Sequence, residues 1–144
     1  MTRDRDAEGR ARNARPRDAY GRPLPHGAEG VDRVPDDYAP TAEQAVADGV
    51  EMLRLDRPFH AHEIFEGRWK CCPPEERDLW QGLAQICVGL THLQRGNPRG
   101  AETLLERGAE RLTPIEGHPY AINPTLAARA RSSTDLLTAL GARV

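Results

Sequence analysis

The sequence predicts an all-α fold: a five-helix bundle built on two repeated helical hairpins and preceded by an irregular N-terminal arm. Three observations predict it. Apolar residues recur at helical spacing in five stretches after position 41, these stretches open on cap or proline signals, and a shift of 40 residues lays one helical pair over the next. No stretch reads as a strand.

The chain has 144 residues, the size of one domain. Its hydrophobic fraction is only 38%, but the Leu, Ile, Phe and Trp residues gather after position 50, so the core belongs to the later part. With 20 basic residues against 22 acidic ones the net charge is -2, and no overall field recruits nucleic acid or an anionic membrane. No apolar run approaches the length of a membrane span, and the N-terminus is charged where a secretory leader needs an apolar segment. Three cysteines, two of them adjacent as Cys71 and Cys72, form no disulfide framework and read as reduced thiols. A cytoplasmic protein is expected.

Residues 1–40 form the arm. Arg3, Arg5, Arg10, Arg12, Arg15, Arg17, Arg22 and Arg33 alternate with Pro16, Pro23, Pro25, Pro35 and Pro40, and no apolar periodicity offsets the entropy of ordering such a segment. The bundle domain is assigned to 41–144. Thr41-Ala42-Glu43-Gln44 has the form of a capping box, and Val46, Gly49, Val50 and Leu53 follow at helical spacing, giving a first helix to about Leu55. Asp56-Arg57-Pro58 is a tight turn that opens a second helix, antiparallel to the first and ended by Pro73-Pro74.

The third helix starts near Pro74 and Glu75, carries Leu79, Leu83, Ile86, Leu90 and Leu93, and stops at Gly96, a residue suited to a left-handed cap. Asn97-Pro98 opens the fourth, with Ala101, Leu104, Leu105, Gly108 and Leu112 on one side. After a loop, Asn123-Pro124 repeats the start signal, and Leu126, Ala130, Ser133, Leu137 and Leu140 form the stripe of a single fifth helix.

The repeat aligns Pro58, Ala61, Ile64, Phe65 and Glu66 with Pro98, Ala101, Leu104, Leu105 and Glu106, and Val46, Gly49, Val50 and Leu53 with Ile86, Gly89, Leu90 and Leu93. Small residues at Gly49, Gly89, Ala61 and Ala101 let paired helices approach closely, as in a tetratricopeptide-like arrangement of longer period. Two hairpins are too few for an open solenoid, so the terminal helix is expected to close the bundle.

Chemistry, if any, lies on the second and third helices. Phe59, His62, Glu63, Glu66 and Trp69 share one face of the second, and His62 and Glu66 stand one turn apart, a spacing from which an imidazole and a carboxylate reach a single divalent metal ion. His92 on the third helix is the candidate third ligand, and Glu63 a candidate general base. Gln81, Gln85 and His92 draw a polar line down an otherwise apolar helix; facing His62 and Glu66 they make either a polar pocket or a mutually satisfied network that sets helix register. His60, two residues from His62, reads as a surface histidine. Trp69 and Trp80 read as packing. No phosphate loop, dinucleotide fingerprint, nucleophile elbow or zinc-finger spacing occurs.

The run Phe59-His60-Ala61-His62-Glu63-Ile64-Phe65-Glu66-Gly67-Arg68-Trp69, then Gln81-Gly82-Leu83-Ala84-Gln85, then His92 and Gly96-Asn97-Pro98-Arg99-Gly100-Ala101, resembles domain-of-unknown-function family 309, DUF309, over about 44–112. The resemblance implies a small bacterial and archaeal helical bundle and brings no established activity.

Three functions compete. A non-enzymatic module would hold a protein or peptide partner beside Phe59, His62, Glu66 and Trp69. A metal-dependent enzyme, with a hydrolase as the first candidate, would use His62, Glu66 and His92 as ligands. Nucleic-acid contact through the arginine arm ranks last, since the balanced charge does not favour it. The sequence does not specify oligomeric state.

Overall fold

The computed structural model describes residues 34–35 and 37–143, together with the backbone of two short strands, β1 (Asp4–Arg5) and β2 (Ala11–Arg12). These pair antiparallel, with Asp4 opposite Arg12 and Arg5 opposite Ala11. The other residues expected to form the arm, up to Arg33, lie outside the described residues.

The rest is helical, and local signals explain most boundaries. In α1 (Ala42–Arg54) the Thr41 hydroxyl accepts from the Gln44 N–H at 3.1 Å, the contact the capping box predicts. Pro58 opens α2 (Pro58–Cys71), whose first-turn N–H groups need no internal partner. A single 3-10 turn at Pro74–Glu76 leads into α3 (Arg77–Gln94). Gly96 adopts φ +72° after α3, where a side chain would be strained, and the Asn97 side chain then caps α4 (Pro98–Leu112) by accepting from the Gly100 N–H.

The single C-terminal helix expected from Leu126 to Leu140 is instead two, α5 (Pro124–Ala128) and α6 (Ser133–Ala139), making six α-helices among the described residues. Ser132 causes the break. Its side chain accepts from the Asp135 N–H, while Asp135 accepts from the Arg131 N–H, so a second capping pair begins a new helix inside the stripe. The break turns Ala130 into the core and leaves Leu126 outside, 41% exposed.

Consecutive helices pack as neighbours from α1 to α4, α5 packs on α3 and α4, and α6 returns to α1. The return closes the bundle as the shortage of repeats suggests. At its centre α3 buries Leu79, Trp80, Leu83, Ile86 and Leu90 between α2 and α4. Each large side chain so removed from water contributes about 2 kcal/mol.

The 40-residue repeat is visible as one contact made twice. A Cβ on Gly49 would lie 2.5 Å from Phe65 Cζ, and a Cβ on Gly89 would lie 2.7 Å from Leu105 Cδ2. In each hairpin the ring or branched tip of the second helix therefore fills the space a side chain on the first would occupy, and the helices close on a knob that only glycine admits.

This seam predicts non-additive mutations. Gly49→Ala is expected to lower unfolding free energy by about 2 kcal/mol, the usual scale of overpacking, and Phe65→Leu, which copies the second hairpin, to recover part of that loss in the double variant. Urea unfolding of the two single variants and the double one measures the coupling; strictly additive losses would sink the account.

Candidate functional site

The second helix is covered on both sides, by α1 and by α3. Ala61, Ile64 and Phe65 enter the core, while His62, Glu66 and Trp69 are left half-buried along the α2–α3 junction. There they line a cleft of about 150 Å³ with Gln81, Ala84, Gln85 and Val88 of α3. The apolar walls are Trp69, Ala84 and Val88, and the polar groups are His62, Glu66, Gln81 and Gln85. The indole N–H of Trp69 is buried and has no hydrogen-bond partner among the described residues.

The imidazole of His62 is held at both nitrogens. Nδ1 lies 2.8 Å from the Phe59 carbonyl oxygen, which only accepts, so Nδ1 carries a proton. Nε2 faces Glu66 Oε2 at 3.1 Å. With Nδ1 protonated, a second proton shared between Nε2 and the carboxyl completes the contact. The His62 hydrogen bond lowers the Glu66 pKa to about 2, against the opposing effect of burial and with help from Lys70, whose Nζ is 3.3 Å from Oε1. The Phe59 ring packs edge-on against His62, with the Arg95 guanidinium 5.7 Å from the ring centre.

The expected site residues divide. His62, Glu66, Trp69, Gln81 and Gln85 come together in the cleft, and Phe59 stands behind His62. Glu63 lines a neighbouring polar groove with His62, Glu66, Lys70, Val34, Pro35 and Tyr38. His92 does not line the cleft: its Nδ1 pairs with the Asn97 side chain at the α3–α4 turn, 3.2 Å away. Among the described residues no three His, Cys, Asp or Glu side chains converge closely enough to hold an ion, so His62, Glu66 and His92 are not assembled as one ligand set. Gln85 turns partly toward α4 and accepts from Arg111 Nε at 3.1 Å.

Two further placements differ from expectation. His60 is buried, 1% exposed, because α2 has neighbours on both sides and the face opposite His62 is an interior one. The last residues assigned to the arm pack onto the domain: Tyr38 lies over Gly67, where a Cβ would come within 2.7 Å of its ring, and its hydroxyl donates to Asp48. Burial and the Asp48 carboxylate both raise the Tyr38 pKa.

A polar joint between α2, α3 and the C-terminal connection was not evident from the spacing of residues. Glu76, in the turn between α2 and α3, accepts from Arg68 Nη2 at 3.1 Å, Trp80 Nε1 at 2.9 Å and the Tyr120 hydroxyl at 2.8 Å. Arg68 also donates to the Pro40 carbonyl and lies 5.7 Å from the centre of the Trp80 ring. Tyr120 and Ala121 adopt φ of 55° and 62°, a left-handed backbone that non-glycine residues rarely hold, and the Glu76 and Trp80 contacts keep Tyr120 there. Burial favours the protonated form of Glu76, but the three donors outweigh it and hold the carboxyl below its ordinary range. The only sequence signal for this cluster was an acidic residue directly before a helix.

Acid should therefore loosen the molecule at this joint. Because the folded-state pKa of Glu76 is depressed, its contribution is present above the unfolded value near 4.5 and is lost as pH falls through the folded value. Glu76→Gln is expected to cost about 2 to 3 kcal/mol near neutral pH, since it strips the Arg68 charge of its partner, and to flatten the fall in stability below pH 4.5. Thermal unfolding from pH 7 to pH 3 checks both; an unchanged acid slope in the variant would exclude Glu76 as its source.

Residues 46–104 match a family model described as Domain of unknown function (DUF309). A protein of Bacillus subtilis (strain 168), described as "Uncharacterized protein YpuF", is 44% identical over 48 residues, which make up 33% of this chain. The match spans 28% of that relative's length. No solved structure matches the chain.

Proposed function

We propose that this chain, which belongs to the DUF309 family, is a non-enzymatic binding module that receives a short peptide segment of a partner protein in the α2–α3 cleft. The observation that carries the reading is the composition of that cleft. Apolar walls of Trp69, Ala84 and Val88 suit an aliphatic or aromatic side chain, and the rim of His62, Glu66, Gln81 and Gln85 suits peptide N–H and C=O groups.

The scaffold fits the same purpose. The α1–α2 and α3–α4 hairpins are read as a tetratricopeptide-like pair on the strength of the doubled glycine contact, and such pairs present grooves between rigid helices. A metal-dependent hydrolase would call for His92 and Glu63 beside His62 and Glu66. His92 is engaged with Asn97 and does not join His62 and Glu66, so the geometry favours binding over that chemistry. No helix among the described residues is long and apolar enough to cross a membrane. The partner is taken to be a protein rather than nucleic acid, because the cleft offers no cluster of basic residues.

Selection of a displayed random-peptide library on the full chain tests the reading. Peptides with one large apolar residue are expected to be enriched, and Trp69→Ala and Gln81→Ala each to weaken their binding by about tenfold, the scale of a contact worth 1 to 2 kcal/mol. Enrichment indifferent to both substitutions, or no enrichment at all, would rule the cleft out as a peptide site.

A further inference from the structure

We infer that His62 and Glu66 form a two-residue anchor for one divalent transition-metal ion of the zinc class, with its remaining coordination positions open to the cleft. The inference is independent of the peptide reading. It needs neither His92 nor Glu63.

Two observations meet at this point. Nδ1 of His62 is committed to the Phe59 carbonyl, which fixes the tautomer whose Nε2 lone pair can bind a metal; a backbone carbonyl on the far nitrogen is the support that metal-bound imidazoles commonly have. Nε2 and Glu66 Oε2 are 3.1 Å apart. Metal bonds of about 2.0 to 2.2 Å from each atom span that gap with an angle near about 100° at the ion, within the range for tetrahedral or octahedral coordination.

The pair is also placed where an ion would be useful. Both side chains line the cleft with Trp69 and Gln81, so positions not filled by protein face the space a ligand would enter. There the ion would hold water or a carboxylate of the incoming molecule. Only two protein ligands are supplied, which agrees with the lack of any three-residue cluster among the described residues. The class is set by the donors: one imidazole and one carboxylate suit zinc, nickel or cobalt better than calcium, which prefers oxygen alone.

Lys70 makes the proposal specific. Its ammonium is 3.3 Å from Glu66 Oε1 and competes with an ion for the carboxylate charge, yet the side chain is 63% exposed, so removing it leaves the fold undisturbed.

Titration of the untagged full chain with Zn²⁺ alone, followed by calorimetry, tests this. One saturable site per chain is expected, lost in His62→Ala and weakened in Glu66→Gln. Lys70→Ala is expected to tighten it by about two- to fivefold, the scale of an exposed ion pair. Cys71→Ser/Cys72→Ser should leave it in place, which separates it from thiol binding at the end of α2. Replacing Zn²⁺ by Co²⁺ reads coordination directly through visible absorption bands absent from His62→Ala. Failure of the wild type to bind, binding that survives His62→Ala, loss in the serine variant or indifference to Lys70→Ala would each overturn the assignment.

Discussion

The relative placement of α2 and α3 rests on one carboxylate. Glu76 stands in the turn between them and takes hydrogen bonds from Arg68 on α2, Trp80 on α3 and Tyr120 in the C-terminal connection. A carboxylate taken largely out of water must be satisfied by donors; Arg68 and Trp80 come from the helices on either side of the turn, and Tyr120 from far along the chain. Arg68 extends the joint to the lead-in before α1 by donating to the Pro40 carbonyl. Elements that would otherwise meet only through apolar packing thus share one electrostatic reference point.

Given that joint, the cleft follows from the crowding of α2. Its neighbours on two sides take up Phe65, Ala61 and His60, and only the remaining strip, with His62, Glu66 and Trp69, reaches the surface. The polar side chains there are not surplus core groups. His62 is oriented by a backbone carbonyl, and Glu66 is held between its imidazole and the Lys70 ammonium.

The doubled hairpin shows how the fold reaches this geometry with modest apolar content. Gly49 beneath Phe65 and Gly89 beneath Leu105 bring helices into close contact without large side chains on both, so dispersion between backbones and a few large residues replaces a thick core. The C-terminal pair then closes what two repeats cannot close alone, with α6 laid against α1.

Sequence by itself determined what depends on neighbours along the chain: the caps at Thr41, Asn97 and Asn123, the left-handed stop at Gly96, the prolines opening α2 and α4, and the pairing of His62 with Glu66 one turn later. Even the split of the last helix had a local cause in Ser132 and Asp135, hidden because the apolar stripe ran through it unbroken. Only the tertiary structure decided the burial of His60, the separation of His92 from His62, the packing of Tyr38 on Gly67 and the convergence on Glu76. Periodicity tells which side chains share a helix face. Which face meets which neighbour, and how far each helix slides along the next, is settled by close packing and by satisfying buried charges across the whole chain.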